Sequence, residues 1–191
     1  CIICDMVVNY CGEGCFKVQT GGTSIVTDPL PRFKGDITLQ TKFSISNFQF
    51  PSKEIVGEGE YEIKGIDITG WQLKESSAKE IKTIYSVKAE EMNLVFLGEI
   101  SDNLEPTFLE KLGTVDILFL PAIGKPFISQ EAAAKLIKQI GPKIVVGSHI
   151  KKPEDAKKFF QELDQKLDVQ EKLVVKRKDL PAKMTALCLK A

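Results

Sequence analysis

The distribution of apolar residues changes near Gly98, and this change constrains the fold more than any other feature of the chain. Before it, short runs rich in β-branched and aromatic residues are separated by turn residues such as Gly21-Gly22 and Glu90-Glu91, a pattern typical of strands joined by hairpins. These runs are IICDMVV, CFKVQT, SIVTD, DITLQT, YEIKGIDITGW, IKTIYSVKA and MNLVFLG. We therefore predict that the first half is mainly an antiparallel meander.

In the second half, helical and strand-like patterns alternate. The predicted helices lie near 105–112, 129–140 and 153–167, and the predicted strands are VDILFLP, KIVVGSH, LVVKRK and TALCLK. Ser129 is a suitable N-cap, Gly141-Pro142 ends that helix, and Pro153 suits a first helical position. Since the strands are too many for one small sheet, we expect two stacked mixed β-sheets flanked by helices, an α/β fold in a single domain over residues 1–191.

The composition is that of a globular protein, with 43% hydrophobic and 27% charged residues and a formal net charge of zero. Residues 143–191 carry twelve Lys/Arg and seven Asp/Glu. Arg32 and Arg177 are the only arginines, so the lysines are interpreted as solvated helix faces and nucleic acid is not the expected partner. No run is apolar and long enough to cross a membrane, and no segment has the pattern of a signal peptide, which predicts a cytoplasmic protein.

Five cysteines occur at Cys1, Cys4, Cys11, Cys15 and Cys188. Their odd number and irregular spacing favour reduced thiols that fill small apolar spaces. Cys1-x-x-Cys4 and Cys11-x-x-x-Cys15 are also similar to zinc half-sites, although residues three apart on a strand face opposite sides. Cys11 or Cys15 is in addition a weaker candidate for a nucleophile.

A set of short motifs, in a fixed order, extends over nearly the whole chain. The motifs are YCGEGCFKV, SIVTDPL, GEGEYEIKGIDITG, LVFLGEI, VDILFLP and PKIVVGSHI. Through them the chain resembles the metallo-β-lactamase superfamily, specifically its small lactonase-like branch of predicted zinc-dependent hydrolases. The resemblance implies an αββα sandwich of two mixed β-sheets flanked by helices.

The resemblance also implies where metal ligands would lie. The family holds two zinc ions in an H-x-H-x-D-H loop, and these ions activate a bridging water for attack on a carbonyl, lactone or phosphoester. The corresponding positions here are Lys42, Ser44, Ser46 and Asn47. A lysine ammonium repels a dication, and serine hydroxyls are poor zinc ligands beside imidazole and carboxylate. We therefore expect no metal and no other cofactor.

Three further positions correspond to family site residues. Glu13 stands in the turn where the family has histidine, and Glu99 stands where it has a bridging aspartate. His149, the only histidine of the chain, matches the ligand that ends the last core strand. Glu99 and His149 are thus the residual metal candidates, and Glu13, Lys42, Glu99 and His149 are the candidate residues of the site rim.

These observations favour a non-catalytic binding or structural module whose small-molecule or protein ligand occupies the rim. One alternative is a metal-dependent hydrolase of a small ester, lactone, lactam or phosphoester, with zinc or another divalent metal in an atypical site. A second is an RNA-binding or nuclease-related protein. Exposed edge strands offer a route to a homodimer.

The sequence leaves several side-chain arrangements open. The Lys42 ammonium either replaces the cation among the rim carboxylates or points to water. Glu58, Glu60 and Glu62 alternate, which favours the solvated face of a hairpin over a cation site. Ser148 adjoins His149, but neighbours on a strand face opposite sides, which argues against a direct dyad.

Overall fold

The computed structural model describes residues 5–45 and 54–191, which form fifteen strands and three short α-helices. The strands are β1 (Met6–Gly12), β2 (Cys15–Thr20), β3 (Thr23–Thr27), β4 (Ile37–Gln40), β5 (Lys42–Ser44), β6 (Ile55–Val56), β7 (Gly59–Ile63), β8 (Ile66–Gln72), β9 (Glu80–Ala89), β10 (Met92–Phe96), β11 (Ile117–Pro121), β12 (Ile144–Ser148), β13 (Val169–Gln170), β14 (Leu173–Val175) and β15 (Thr185–Leu189). The helices are α1 (Pro106–Leu112), α2 (Gln130–Ile140) and α3 (Lys157–Glu162).

The strands form two mixed sheets. The first has the order β14-β1-β2-β3-β4-β6, and the second has the order β13-β15-β12-β11-β10-β9-β8-β7, with β5 paired to β9. Hairpins β1-β2, β7-β8 and β9-β10 are antiparallel as expected. The expected meander is nevertheless incomplete, because β4 pairs in parallel with both β3 and β6. Parallel partners need a crossover connection, and the segment between β3 and β4 supplies one.

Two apolar layers hold the sheets and helices together. The larger lies between the sheets and includes a stack of Phe96 on Phe119, whose ring centroids are 4.3 Å apart. The second lies between the outer face of the second sheet and the three helices. Strands β11 and β12 are buried on both faces, which explains their unbroken apolar sequences. The predicted α/β sandwich is confirmed.

The helical layer is unevenly distributed over the described residues. All three helices cover the second sheet, whereas Leu30 and Phe33 of the β3-β4 connection cover Cys11, Cys15 and Val26 on the outer face of the first. Within the described ranges, no helix has the length and apolar character needed to cross a membrane.

The predicted ends of α2 are confirmed and those of α3 are partly wrong. Ser129 accepts a hydrogen bond from the Ala132 amide, and Gly141 ends α2 in the left-handed conformation at φ 65°. The third helix was expected to run to residue 167, but it ends at Glu162. Gln165 instead leaves the helical path, and its side chain binds the backbone of Met184 and Ala186 next to β15. These bonds to the sheet replace the last helical turns.

Candidate functional site

Polar side chains from several connections meet at one rim of the sandwich. Asp28 follows β3, Lys42 begins β5, Glu99 follows β10 and His149 follows β12. The structure brings Lys42, Glu99 and His149 together, as the resemblance implied for their positions. The side chain of Glu13 points to solvent, and its position contributes through the backbone instead.

Lys42 forms ion pairs with two carboxylates. Its Nζ lies 2.8 Å from Oε2 of Glu99 and 3.3 Å from Oε2 of Glu80. The pairing of β5 with β9 fixes this arrangement, because it sets Ser44 opposite Glu80 and carries Lys42 to the rim. Glu99 raises the pKa of Lys42, so the ammonium is fully charged at neutral pH. Of the two arrangements left open by the sequence, Lys42 adopts the paired one.

Glu99 lies between Lys42 and His149. Oε1 of Glu99 is 3.8 Å from Nε2 of His149, which is an ion-pair distance and too long for a hydrogen bond. His149 and then Lys42 lower the pKa of Glu99 to about 2, against the opposing effect of partial burial. Glu99 is therefore a stable carboxylate and a weak base.

His149 contacts its neighbour Ser148, which corrects the expectation that the two face opposite sides. Oγ of Ser148 lies 2.9 Å from Nδ1 of His149. The contact exists because β12 ends at Ser148 and His149 has a left-handed backbone with φ 63°, so the strand alternation does not extend to it. The His149 ring also packs against Phe127 at a centroid distance of 4.2 Å.

The turn that carries Glu13 supports His149 through its backbone. The Glu13 carbonyl accepts hydrogen bonds from the His149 amide and from the Tyr10 hydroxyl, both at 2.8 Å. Glu13 itself has φ 54°, so this turn and the turn at His149 are both held in left-handed conformations by the contact. Glu13 thus positions the rim without presenting its carboxylate to it.

Asp28 is a site residue that the sequence reasoning missed. Its Oδ1 accepts a hydrogen bond of 2.7 Å from the Thr41 amide, and its Oδ2 accepts one of 2.6 Å from the Thr41 hydroxyl. Burial of the carboxylate raises the pKa of Asp28 to about 6, although the Thr41 bonds oppose that effect. The Asp-Pro step within SIVTDPL could have indicated this residue, because it places a carboxylate at the end of a strand.

Two glycines leave room for these side chains. A Cβ at Gly14 would lie 3.2 Å from Oδ2 of Asp28 and 3.3 Å from Cε1 of His149. A Cβ at Gly98 would lie 2.5 Å from Oγ1 of Thr41. The partly open cavity that both glycines line has a volume of about 10 Å³, with Phe16, Phe96 and Phe119 among its walls. It is large enough for about one water molecule.

The described side chains do not fit a dinuclear zinc centre. Across residues 5–45 and 54–191, no three His, Cys, Asp or Glu side chains are grouped so that they could hold a metal ion. Glu99 already pairs with an ammonium, and Asp28 accepts two hydrogen bonds from Thr41. Lys42 and Ser44 occupy two of the positions that the resemblance assigns to ligands, and Ser46 and Asn47 lie outside the described residues.

The three cysteines that the structure describes are not placed as a nucleophile or a metal ligand in the rim. Cys11, Cys15 and Cys188 are buried free thiols. Burial raises the pKa of Cys11, and it raises that of Cys15 and Cys188 to about 12, which keeps the thiols protonated. Cys1 and Cys4 lie outside the described residues. Glu58, Glu60 and Glu62 are exposed along the β7 hairpin, as the solvated-face interpretation predicted.

Comparisons with known proteins match the chain over most of its length. The β-lactamase superfamily domain matches residues 7–149, a stretch that begins in β1 and ends at His149. A UPF0173 protein of Pyrococcus furiosus is 25% identical over 192 residues, which cover 82% of this chain and 91% of that protein.

Solved structures show the same fold at low identity. A predicted zinc-dependent hydrolase of the metallo-β-lactamase superfamily from Thermotoga maritima superposes with a TM-score of 0.78 at 20% identity, covering 97% of this chain and all of the other. Igni18, a metallo hydrolase of Ignicoccus hospitalis, gives a TM-score of 0.67 at 17% identity over 96% of this chain and 95% of its own.

Proposed function

This chain belongs to the β-lactamase superfamily domain family, and on that premise we propose that it is a metal-independent binding domain in which the Lys42 ammonium replaces the catalytic cations. The observation that carries the proposal is the 2.8 Å contact between Nζ of Lys42 and Oε2 of Glu99. Glu99 stands where the family has its bridging aspartate. A single ammonium therefore neutralises the carboxylate that a metal would otherwise hold.

The charge balance of the rim supports this substitution. Lys42 lies between Glu80 and Glu99, and the side chains of all three are 30–39% exposed. At such exposure an ion pair contributes only about 0.2–1 kcal/mol to folding. Its principal effect is to cancel negative charge, which lowers the attraction of the rim for a metal dication.

The same rim is a poor site for hydrolysis without a metal. A zinc ion lowers the pKa of a bound water to about 7, and an ammonium has no comparable effect. Glu99, with a pKa of about 2, is too weak a base to replace that effect. The cavity lined by Asp28 and His149 admits about one water molecule, so it has no room for a substrate. Binding at the outer rim needs none of these features.

Metal analysis tests the proposal directly. The protein is purified without chelator, dialysed, analysed by mass spectrometry for bound metals, and titrated with Zn²⁺, Mn²⁺ and Fe²⁺ by calorimetry. We expect far less than one metal ion per chain and no tight isotherm. Retention of near-stoichiometric metal would instead support an atypical metal-dependent hydrolase and overturn the binding-domain proposal.

Two lysine variants test whether Lys42 at the rim is what weakens Zn²⁺ binding. Lys42→Ala removes the ammonium beside Glu99, so we expect it to bind Zn²⁺ more tightly than the unaltered chain does. Lys34→Ala removes an exposed ammonium from the β3-β4 connection and serves as the matched control, with unchanged Zn²⁺ affinity. Equal Zn²⁺ affinity for Lys42→Ala and the unaltered chain would contradict the role given to Lys42.

A further inference from the structure

A groove of about 640 Å³ lies between the end of β8, the connection that follows β10, and α1. This volume is within the usual range of small-molecule sites, which is about 300–1,000 Å³. Its apolar wall is formed by Trp71, Leu104 and Phe108, all partly exposed. The groove is distinct from the small cavity lined by Asp28 and His149, and no residue lines both.

The two aromatic rings form a corner. Trp71 and Phe108 pack edge to face, with a centroid distance of 5.7 Å and an interplanar angle of 79°. The two rings therefore support one another, and both line the groove. The face of a tryptophan ring carries negative electrostatic potential and attracts cations within about 6 Å of the ring centroid.

Ion pairs already account for part of the charge around the groove. Nζ of Lys74 is 2.6 Å from Oε1 of Glu105, and Nζ of Lys82 is 2.9 Å from Oε2 of Glu75. Glu75 also accepts hydrogen bonds from the amide and hydroxyl of Ser101. These groups hold the walls in place and leave little charge for a ligand.

The remaining charged groups of the groove are mainly acidic. Within the described ranges, Glu58 and Asp102 have no ion-pair partner. Lys111 has none either, and it is the one lysine that lines the groove without belonging to the two ion pairs named above. Asp102 uses Oδ1 to accept a hydrogen bond from the Asn103 amide. The groups outside those pairs are thus two carboxylates and one ammonium, so a cation beside Trp71 would meet an aromatic face and a net negative charge.

We propose that this groove binds a small organic cation, an amine or quaternary ammonium attached to an apolar or aromatic body. The apolar body packs on Leu104 and Phe108, while the cationic head faces Trp71 and the carboxylates of Glu58 and Asp102. The volume suits a compact molecule rather than a folded partner. This inference goes beyond the rim and holds whether or not a metal binds near Glu99.

Trp71 is the only tryptophan, so its indole N–H gives one resolved side-chain signal in a ¹H–¹⁵N spectrum. The full chain is titrated with benzyltrimethylammonium, with benzyl alcohol as the neutral probe and benzenesulfonate as the anionic probe. We expect a saturable shift of the indole signal with the cation, weaker binding of the alcohol and none of the sulfonate. Equal binding of the neutral and cationic probes, or no saturable shift with the cation, would overturn the proposal.

Charge variants test the two carboxylates. We expect the double variant Glu58→Gln, Asp102→Asn to weaken cation binding about fivefold, as two partly solvated charge contacts are lost. Glu110→Gln removes an exposed carboxylate of α1 outside the groove and is expected to leave the affinity unchanged. Both amide variants preserve size and hydrogen bonding, and thermal unfolding confirms that they fold. Equal affinities for the double variant and the control would contradict the assignment of the carboxylates.

Discussion

Nζ of Lys42 lies 2.8 Å from Oε2 of Glu99, so an ion pair joins β5 to the connection that follows β10 at the rim of the sandwich. The two residues are 57 positions apart in the chain. The pair therefore links two segments of the second sheet, since β5 is paired to β9 and β9 to β10. Its strength and its pH dependence are both measurable.

A double-mutant cycle measures the pairing of Lys42 with Glu99. We expect Lys42→Met to lower the free energy of unfolding by up to about 1 kcal/mol, because it leaves Glu99 and Glu80 without their shared ammonium. Adding Glu99→Gln to Lys42→Met should cost less than Glu99→Gln does alone, which gives a favourable coupling energy. Urea denaturation at pH 7 provides the values. A fall in stability for Glu99→Gln with no change for Lys42→Met would show that Lys42 is not the partner.

The pH dependence of stability has opposite signs for the two acidic residues of the site. The folded pKa of Glu99, about 2, is below its ordinary value of 4.5, so the unfolded chain binds a proton more readily. Glu99 therefore contributes stability above about pH 4.5, and that contribution is lost as the pH falls towards 2. Urea denaturation between pH 2 and pH 5 should show a shallower decline for Glu99→Gln. An unchanged decline would mean that Glu99 is not held as a carboxylate.

Asp28 should show the reverse dependence. Its folded pKa of about 6 is above its ordinary value of 3.8, so the folded chain holds the proton more tightly. Its contribution to stability is fully present below about pH 3.8 and is lost as the pH rises through 6. We expect Asp28→Asn to raise the free energy of unfolding at pH 7 by an amount on the order of 2 kcal/mol, and to flatten the profile between pH 4 and pH 6.5.

Measuring the pH dependence of stability for Glu99→Gln and Asp28→Asn in one buffer series distinguishes the contributions of the two residues. Asn at position 28 retains an oxygen for the Thr41 amide, so a large loss of stability at every pH would indicate that the carboxylate itself is required by the fold. An Asp28→Asn profile parallel to that of the unaltered chain would contradict the raised pKa.

The parts of the fold that depend on residues close together in the sequence could be predicted. Ser129 and Gly141 define the ends of α2 through bonds made within a few residues, and the sequence contains all the partners. The parallel pairing of β3 with β4 could not be predicted, because it depends on how a connection crosses the sheet. The end of α3 is a similar case, since Gln165 binds backbone groups near β15.

The candidate site could likewise be predicted only in part. The positions of Lys42, Glu99 and His149 came from motif order, which places strand ends at a common rim. Asp28 was missed because its role depends on Thr41, which is 13 residues away between β4 and β5. The contact of Ser148 with His149 was missed for a different reason: strand alternation holds only while the backbone is extended, and His149 is left-handed.

The hydrogen bond between Ser148 and His149 is expected to fix the tautomer of the ring. If the Ser148 hydroxyl donates to Nδ1, then Nε2 carries the proton and directs it towards Glu99. Ser148→Ala removes that donor, so we expect a mixture of tautomers and a higher pKa for Glu99. Long-range ¹H–¹⁵N spectra of the single imidazole distinguish the tautomers, with Ser77→Ala as an exposed control. A single unchanged tautomer in Ser148→Ala would show that another contact sets it.

The close approach of Gly98 to Thr41 should also be required for the geometry of the site. Gly98 has φ 61°, and a Cβ there would lie 2.5 Å from Oγ1 of Thr41, the hydroxyl that binds Asp28. Gly141 has a similar φ of 65°, and a Cβ there would meet no atom within 4 Å. Both alanine variants carry the strain of a left-handed residue, which costs about 1–2 kcal/mol. Only Gly98→Ala also displaces Thr41.

We therefore expect Gly98→Ala to lower the free energy of unfolding by about 1–3 kcal/mol more than Gly141→Ala does, which is the usual cost of overpacking. Displacement of Thr41 should also weaken its bonds to Asp28, so the pH profile between 4 and 6.5 should change in Gly98→Ala and not in Gly141→Ala. Urea denaturation across that range measures both effects. Equal losses of stability in the two variants would mean that Thr41 can move away at no cost, and that the Asp28 carboxylate is not held by this contact.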